Sequence, residues 1–307
     1  MFRKHTRRAA KAAFAIAIGV PLVLGGTAAA SRSSEAAKRP TIVVGTKNFT
    51  EQYILGQLYA QALKAKGFKV KVKENIGSSE IIDAALTSGK INFYPEYTGV
   101  IVQVLAHKPS PSSAAATYVA AKKFEEKRGY TLLKRTPFYD SDAFGILTST
   151  ANKYGLKTIP DVKKVPKTLK YGGFPECQTR TTCFKGLTDT YGLMNLSFVP
   201  LSGISIYTAL DQGTVDAGDV FSTDPQLGSK KYTILTDTKH IFGFQNVAPI
   251  VSKKIAKAGG KKFTKAVNAV SAKLTIKAKI AMNKAVAIDK QSPTKVASAF
   301  LKANHLK

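Results

Sequence analysis

The chain has 307 residues, which is long enough to bury a substantial core as two modest domains or as one large one. It carries a formal net charge of +28, but its lysines are spread as singles and pairs that are typical of solvated helix faces. No basic cluster interleaved with aromatic residues is present, so we expect no nucleic-acid partner.

Residues 1–30 have the pattern of an export signal. Five basic residues lead into an apolar stretch at 12–24, and small residues follow at 25–30. A retained membrane anchor is the alternative, but Pro21 interrupts a run that is already short for a membrane span. Cleavage is therefore favoured, and removing five positive charges from +28 leaves +23. The Arg7-Arg8 pair leaves a twin-arginine export route open beside the general one.

Residues 31–40 are small and polar and predict a flexible leader. The two cysteines, Cys177 and Cys183, lie far from the cleavage region, so we expect no lipid-anchored cysteine. In an exported chain, their close spacing favours a disulfide over a zinc site, which would need further ligands. We expect a periplasmic or cell-surface protein, whose basic surface makes electrostatic contact with an anionic envelope.

The first structural set should begin at "TIVVG", an apolar run typical of a buried strand. Asn48 or Thr50 is the candidate N-cap of a helix that runs to about Lys66. An alternating strand, "FKVKVK", a short helix, "EIIDAALTSG", and a strand at "INFY" follow. Strand, helix, strand, helix, strand indicates an α/β unit with parallel pairing.

A second set begins near Ala143, with strand candidates at "AFGILTS", "LKYGGF", "LSFVPL", "VDAGDVF" and "YTILTD". Helices are expected at 185–193 and 203–212, and "NVAPIVS" supplies one more strand. The remaining tail is helical, with one apolar face and a Ser292-Pro293 start. We expect these last helices to pack back onto the first set. Two α/β lobes with a ligand cleft between them would explain this order.

The stretch "INFYPEYTGV" reads as a strand end that delivers Tyr97 to the cleft. Pro95 is expected to stop the strand, while Glu96 and Thr98 start the next helix, with Glu96 acting as a helix-start charge. Two later strand ends, "FYDSDAFG" and "DVFSTDPQ", add carboxylates and aromatic rings. Together these groups suit a cation that cannot donate hydrogen bonds, such as a quaternary ammonium.

Catalysis is not expected. The sequence has no nucleophile elbow, phosphate-binding Gly-Lys loop, dinucleotide fingerprint or paired-histidine metal motif. Asp140 and Asp142 could act as an acid and a base, but no partner nucleophile accompanies them. We therefore predict a protein that is not an enzyme and that has no cofactor, no metal site and no catalytic residues.

Several stretches, in a consistent order over about 41–300, resemble the extracellular substrate-binding proteins of ABC importers for osmoprotectants of the glycine betaine/choline type. They are "IVVGTKNFTEQYILGQLYAQAL", "SGKINFYPEYTG", "PECQTR", "GLTDTYGL", "VFSTDP" and "QNVAPIV". The resemblance implies a two-lobed periplasmic-binding-protein-like fold that closes at a hinge and delivers its ligand to a membrane permease. One lobe would comprise 41–140 plus 246–307, and the other 141–245.

The resemblance also implies ligand contacts. Tyr97 matches a cage tyrosine, Lys47 a polar contact, Asp140 an acidic contact and Arg180 an arginine near the ligand carboxylate. Asp142, Phe221 and Gln245 stand where further cage tyrosines are usual, and Val100 where a threonine is usual. The whole implied ligand-binding set is Lys47, Asn48, Tyr97, Thr98, Asp140, Asp142, Arg180, Phe221, Thr223, Asp224, Gln245 and Asn246.

A four-tyrosine cage is therefore incomplete, and losing three rings at about 0.5–2 kcal/mol each would weaken cation binding unless other groups replace them. Asp142 would replace part of the attraction by charge, and Phe138, Tyr139 and Phe244 are candidate rings. Three functions stay open at this point. They are a solute-binding protein for a quaternary ammonium compound, or for another small polar solute or amino acid; a basic envelope-associated protein; and a hydrolase.

Overall fold

The computed structural model describes residues 40–307. The predicted export signal at 1–30 and nearly all of the leader at 31–40 lie outside the described residues. The described residues form an α/β fold, as predicted, and their strands make two five-stranded sheets.

The ten strands fall mostly where hydrophobic periodicity places them. They are β1 (Ile42–Gly45), β2 (Val70–Lys73), β3 (Phe93–Tyr97), β4 (Tyr130–Leu132), β5 (Asp142–Leu147), β6 (Leu169–Gly173), β7 (Leu196–Pro200), β8 (Ala217–Phe221), β9 (Tyr232–Leu235) and β10 (Val247–Ser252). Only β4, a three-residue strand, has no counterpart among the sequence predictions, because so short a run carries little periodicity.

The helices connect these strands and cover the sheets. They are α1 (Thr50–Ala65), α2 (Ser79–Thr87), α3 (Thr98–Val100), α4 (Ala114–Lys127), α5 (Thr148–Tyr154), α6 (Phe184–Asp189), α7 (Ile206–Asp211), α8 (Lys253–Lys273), α9 (Ile276–Ala287) and α10 (Pro293–Ala303). A π-helical turn at Ile101–Leu105 extends α3, and 3₁₀ turns lie at Ile159–Lys164, Pro175–Thr179 and Pro225–Gly228. Helices α4 and α5 had not been predicted.

The first sheet has the order β2-β1-β3-β10-β4, and the second has the order β7-β6-β8-β5-β9. Strands β1, β2 and β3 pair in parallel, as the strand-helix alternation predicts, while β10 runs antiparallel to β3 and β4. The chain therefore leaves the first sheet, builds the second and returns through β10. We call the elements on the first sheet, with α8 to α10, the first lobe, and those on the second sheet the second lobe. The predicted boundaries at 140/141 and 245/246 stay predictions.

The prediction that Pro95 stops its strand is wrong, because β3 continues to Tyr97. Pro95 and Pro249 are direct partners in the antiparallel pairing of β3 with β10. The two prolines face each other at a position where the strands exchange no hydrogen bonds. Their missing N–H groups therefore do not interrupt the hydrogen bonding between β3 and β10.

The predicted N-cap of α1 is also wrong. Phe49, not Asn48 or Thr50, is the N-cap, and it makes no side-chain capping bond. Its ring is instead engaged between the lobes, as described below. The end near Lys66 agrees with the prediction, since Lys66 is the C-cap and Gly67 follows with a left-handed φ of 79°.

The C-terminal helices bury their apolar face against α1 and the first sheet. Phe263, Val267, Val270 and Leu274 are all fully buried in that core, as the spacing predicts. A separate core lies under the second sheet around Phe144, Tyr171 and Leu187. Across residues 40–307, none of the helices combines the length and the hydropathy that a membrane span needs.

Candidate functional site

A cavity of about 50 Å³ lies where the two sheets approach each other, and it is lined by residues of both. Eight of the twelve predicted ligand residues line it: Lys47, Asn48, Tyr97, Asp140, Asp142, Arg180, Phe221 and Gln245. An adjoining cavity of about 550 Å³ is lined by Thr223 and Asp224, and it shares Asp140 and Phe221 with the small one. Thr98 and Asn246 line neither.

Three rings form an aromatic stack at the small cavity. The ring of Phe49 stacks on that of Tyr97, with centroids 6.3 Å apart, and on that of Phe221, with centroids 5.7 Å apart. Phe174 contributes a fourth, tilted ring, 6.5 Å from Phe221. Because Phe49 and Tyr97 belong to the first lobe and Phe221 to the second, the stack spans the cleft.

The replacement rings suggested by the sequence are wrong. Phe138 is 2% exposed in the first core, Tyr139 is 57% exposed, and neither these two nor Phe244 lines the small cavity. Phe49 and Phe174 are the rings that line this cavity beside Tyr97 and Phe221. Phe49 lies within the motif "TKNFTEQ", where its neighbours Lys47 and Asn48 had been weighed as binding groups and the ring had not.

Lys47 is buried and already paired. Its Nζ lies 2.6 Å from Glu96 Oε1, 3.0 Å from Ser79 Oγ and 4.4 Å from the centroid of the Tyr97 ring. Glu96 Oε1 also accepts a hydrogen bond from the backbone N–H of Tyr97. The prediction that Glu96 is only a helix-start charge is therefore wrong, since it is fully buried as the partner of Lys47.

Glu51 anchors a polar network across the lobes. It accepts hydrogen bonds from the Tyr97 hydroxyl at 2.9 Å, from Thr223 Oγ1 at 2.8 Å and from Asn283 Nδ2 at 3.0 Å. Lys279 Nζ lies 3.8 Å from the Glu51 carboxylate, and both residues are buried. Sequence reasoning placed Glu51 in the first turn of α1 but missed this role, because two of its partners come from α9.

Asp140 and Asp224 shape the turn that follows β8. Asp140 Oδ1 accepts a hydrogen bond from the backbone N–H of Thr223 at 3.0 Å, and Asp224 Oδ2 accepts from the Tyr207 hydroxyl and from the Phe221 N–H, both at 2.9 Å. Burial raises the pKa of Asp224 to about 6. Burial, and then the charge of Glu51, raises the pKa of Asp140.

Asp142 lies on β5 and Asp219 on β8, which are neighbouring strands of the second sheet. Asp142 is opposite Phe221, and Asp219 is opposite Phe144, so the two carboxyl groups are diagonal neighbours on one face. Burial raises the pKa of both carboxyl groups, and the charge of Asp142 adds to the effect at Asp219. Asp219 lines both cavities and had not been singled out from the sequence.

Arg180 joins the two lobes at the edge of the small cavity. Its Nη2 lies 2.7 Å from Glu80 Oε2 and its Nε lies 3.2 Å from Glu80 Oε1. Glu80 belongs to α2 of the first lobe, whereas Arg180 directly follows the 3₁₀ turn Pro175–Thr179 of the second lobe. The guanidinium therefore already holds a carboxylate, which is the kind of group that the resemblance assigns to it.

Three predicted ligand residues use their polar atoms on the protein backbone. Gln245 accepts from the Val100 N–H and donates to the Phe242 carbonyl, while Thr98 Oγ1 donates to the Phe244 carbonyl. A Cβ on Gly99 would lie 2.6 Å from the Gln245 amide nitrogen, which explains why "YTG" has glycine there. Asn246 donates to the carbonyls of 136 and 138. These contacts fix the strand crossing between the lobes.

Cys177 and Cys183 form a disulfide, as predicted. Their sulfur atoms and the Asp219 carboxylate lie within 4.8 Å of one another, which is the single cluster of potential metal ligands among residues 40–307. Because the disulfide consumes both thiols, only one donor remains, and the cluster does not suit a metal ion. The bridge instead fixes the loop that carries Arg180.

Comparisons with known proteins agree on the type of protein. Residues 40–303 match the family described as the substrate-binding domain of an ABC-type glycine betaine transport system. The chain is 31% identical to a glycine-betaine-binding protein of Pseudomonas aeruginosa, over 88% of this chain and 90% of the other. It is 25% identical to the carnitine transport binding protein OpuCC of Listeria monocytogenes, over 87% and 88% of the two chains.

The fold is likewise similar to solved structures. A structure described as a glycine betaine/carnitine/choline ABC transporter superposes with a TM-score of 0.70 at 21% identity, over 86% of this chain and 99% of the other. A choline-binding protein of an ABC transporter, in complex with choline, superposes with a TM-score of 0.66 at 14% identity, over 86% and 89%. These similarities support the two-lobed fold.

Proposed function

Because the chain belongs to the family of substrate-binding domains of ABC-type glycine betaine transport systems, we propose that it captures a quaternary ammonium solute between its lobes and delivers it to an ABC permease. The candidate ligands are glycine betaine, choline and related compounds. The observation that carries the proposal is the stack of Phe49, Tyr97 and Phe221 beside buried carboxylates at the small cavity.

The chemistry of such a site follows from its ligand. A quaternary ammonium group has no hydrogen to donate, so it is held by ring faces and by negative charge rather than by directed hydrogen bonds. The rings also exclude water, which strengthens the remaining electrostatic attraction. Tyr97 suits this role because its hydroxyl is held by Glu51, which fixes the orientation of the ring.

The ligand-binding set remains the twelve residues inferred from the sequence, with different tasks. Thr98, Asn246 and Gln245 position the crossing strands through backbone hydrogen bonds, although Gln245 also lines the small cavity. The other residues at that cavity contact the solute. We add Phe49 and Phe174 as ligand-facing rings. Closure brings Phe221 and Arg180 of the second lobe (141–245) onto the first lobe (41–140 plus 246–307). Opening of the lobes releases the solute.

The protein works outside the cytoplasm and catalyses no reaction. Its partners are the solute, the permease and, through the +23 charge that remains after removal of the signal, an anionic envelope surface. If this surface contact is electrostatic, retention on anionic vesicles falls as salt rises. Retention that does not respond to salt would contradict that part of the proposal.

Isothermal titration of the mature protein with choline and glycine betaine tests the proposed site. We expect Tyr97→Ala to weaken binding by about tenfold or more, equivalent to about 1.4 kcal/mol, because it removes one face of the aromatic stack. Tyr139→Ala is the matched control, since that ring is exposed and outside the cavity. Wild-type affinity in Tyr97→Ala would exclude this cavity as the site.

A further inference from the structure

The charges that line the small cavity are unevenly balanced. Lys47 is neutralised by Glu96 at 2.6 Å, and Arg180 is neutralised by Glu80 at 2.7 Å. Among residues 40–307, no Lys, Arg or His nitrogen lies within 4.0 Å of the carboxylates of Asp140, Asp142 or Asp219. Within the described part of the chain, the cavity therefore has carboxyl groups without a cation partner, and its two lining cations, Lys47 and Arg180, are both paired.

Asp219 is the carboxyl group whose position is least explained by the protein itself. Its side chain is only 7% exposed, and its Oδ1 is buried without a hydrogen-bond donor among the described residues. The Tyr171 hydroxyl, also buried, is likewise without a partner and is close enough for Asp219 and Asp142 to affect it electrostatically. Buried polar atoms left unsatisfied in this way are costly unless a ligand completes them.

Four segments surround the neighbouring carboxyl groups of Asp142 and Asp219. Tyr171 faces these groups from β6, Arg180 and Glu176 from the disulfide loop, Lys47 from the loop after β1, and Asp224 from the turn after β8. Gly173 lies beside Asp219, where a Cβ would be 3.4 Å from the aspartate Cβ. That Cβ would be closer still to the disulfide, at 3.0 Å from the Cys177 sulfur, so a bulkier residue at 173 would press on Cys177 before it reached Asp219.

We infer that Asp142 and Asp219 act as one acidic pair that shares a proton when the cavity is free of ligand, releases it when an organic cation binds, and so selects ligands with a net positive charge over zwitterions. The inference rests on the proposed function and narrows its substrate class to choline-like monocations. Two neighbouring carboxyl groups, of which Asp219 is buried and Asp142 half-buried, cannot both ionise cheaply, and a bound cation supplies the missing charge.

Zwitterions such as glycine betaine meet a different environment. Their carboxylate needs a cation, and the one nearest the cavity edge, Arg180, already holds Glu80 through two nitrogens. A zwitterion would have to displace Glu80 or place its carboxylate near the acidic pair. A monocation needs neither change, so the charged groups at the cavity favour the binding of a monocation over that of a zwitterion.

The test measures choline and glycine betaine affinities by titration calorimetry for the wild type, Asp219→Asn and Asp142→Asn, between about pH 5.5 and 8. We expect wild-type choline affinity to exceed betaine affinity by about tenfold and to rise with pH as the pair loses its proton. Choline binding in buffers of different ionisation enthalpy should reveal proton release. Asp189→Asn, an exposed acid on the same lobe, is the matched control.

Each aspartate variant should lose choline affinity by about tenfold and become less dependent on pH, and its loss of betaine affinity should be several-fold smaller than its loss of choline affinity. Equal losses for both ligands, or choline binding that is independent of pH in the wild type, would overturn the inference while leaving the proposed function intact. Binding of neither compound to the wild type would overturn the proposed function itself. If a variant does not fold, the wild-type pH and buffer measurements decide alone.

Discussion

The two lobes treat most of their buried and half-buried carboxylates in opposite ways. In the first lobe the buried glutamates among residues 40–307 have a cation close by: Glu96 has Lys47 at 2.6 Å, Glu51 has Lys279 at 3.8 Å, and Glu125 has Arg128 at 3.1 Å. In the second lobe, Asp142, Asp219 and Asp224 have no Lys, Arg or His nitrogen within 4.0 Å among residues 40–307. The buried glutamates of the first lobe are therefore paired with cations, whereas these carboxyl groups of the second lobe, and Asp140 at the boundary between the lobes, are not.

This difference has a physical consequence for folding and binding. A buried ion pair is costly to desolvate, but once formed it makes the loss of either partner expensive. An unpaired buried carboxyl group instead binds a proton, because burial favours its neutral form. The first lobe thus supplies a half of the cleft in which the charges are fixed by ion pairs. In the second lobe, the protonation of the unpaired carboxyl groups depends on the bound ligand.

The largest expected effect comes from breaking a pair in the first lobe. Lys47→Met leaves the fully buried Glu96 without its cation, so we expect the free energy of unfolding to fall by about 3–5 kcal/mol. Urea denaturation near neutral pH measures this. Lys64→Met, on the exposed face of α1, is the control.

The double variant Lys47→Met/Glu96→Gln should recover much of that stability, because the uncompensated charge is gone. A loss below about 1 kcal/mol in the single variant would mean that Glu96 is not held as a charged partner, and it would weaken the contrast between the lobes.

Glu125 sharpens the comparison between the lobes, because the charge of Arg128 does not fully offset the rise in pKa that burial causes. Burial raises the pKa of Glu125 to about 7, although Arg128 opposes the shift. The folded state therefore holds this proton more tightly than the unfolded state, so stability falls as pH rises from about 4.5 through about 7.

We expect Glu125→Gln to raise the free energy of unfolding by about 1–3 kcal/mol near pH 8 and to change it little near pH 4.5. Thermal or urea denaturation at the two pH values measures this. Glu126→Gln is the control, since that side chain is 44% exposed. An equal gain at both pH values would assign the effect to packing rather than to titration.

The smallest effect is expected at the ion pair that joins the lobes. Glu80 is 46% exposed and Arg180 is 19% exposed, so solvent screens their attraction to about 1 kcal/mol or less. Glu80→Gln should therefore weaken choline binding by less than about fivefold, through a less stable closed state. Glu74→Gln, whose side chain bonds Gln57 within the first lobe, is the control. A loss above about twentyfold would mean that Glu80 orients Arg180 for direct ligand contact.

Much of the fold could be predicted from the sequence because its evidence is local. The alternation in "FKVKVK" and the spacing of Phe263, Val267 and Val270 identify elements without reference to distant residues. The same holds for the disulfide, whose cysteines are six positions apart. The error at Pro95 arose because its tolerance in β3 depends on Pro249, a partner more than a hundred residues away along the chain.

The sequence by itself determined the order of most strands and helices, the family and the stretches that reach the cleft, but it gave no indication of β4, α4 and α5. Only the tertiary structure decided how each ionisable group is used. Lys47 and Glu96 are 49 residues apart, and Asn283 and Glu51 are 232 apart, yet each pair makes a hydrogen bond. The physical reason is that periodicity and capping act within a few residues, whereas burial and charge pairing depend on which surfaces meet when the lobes assemble.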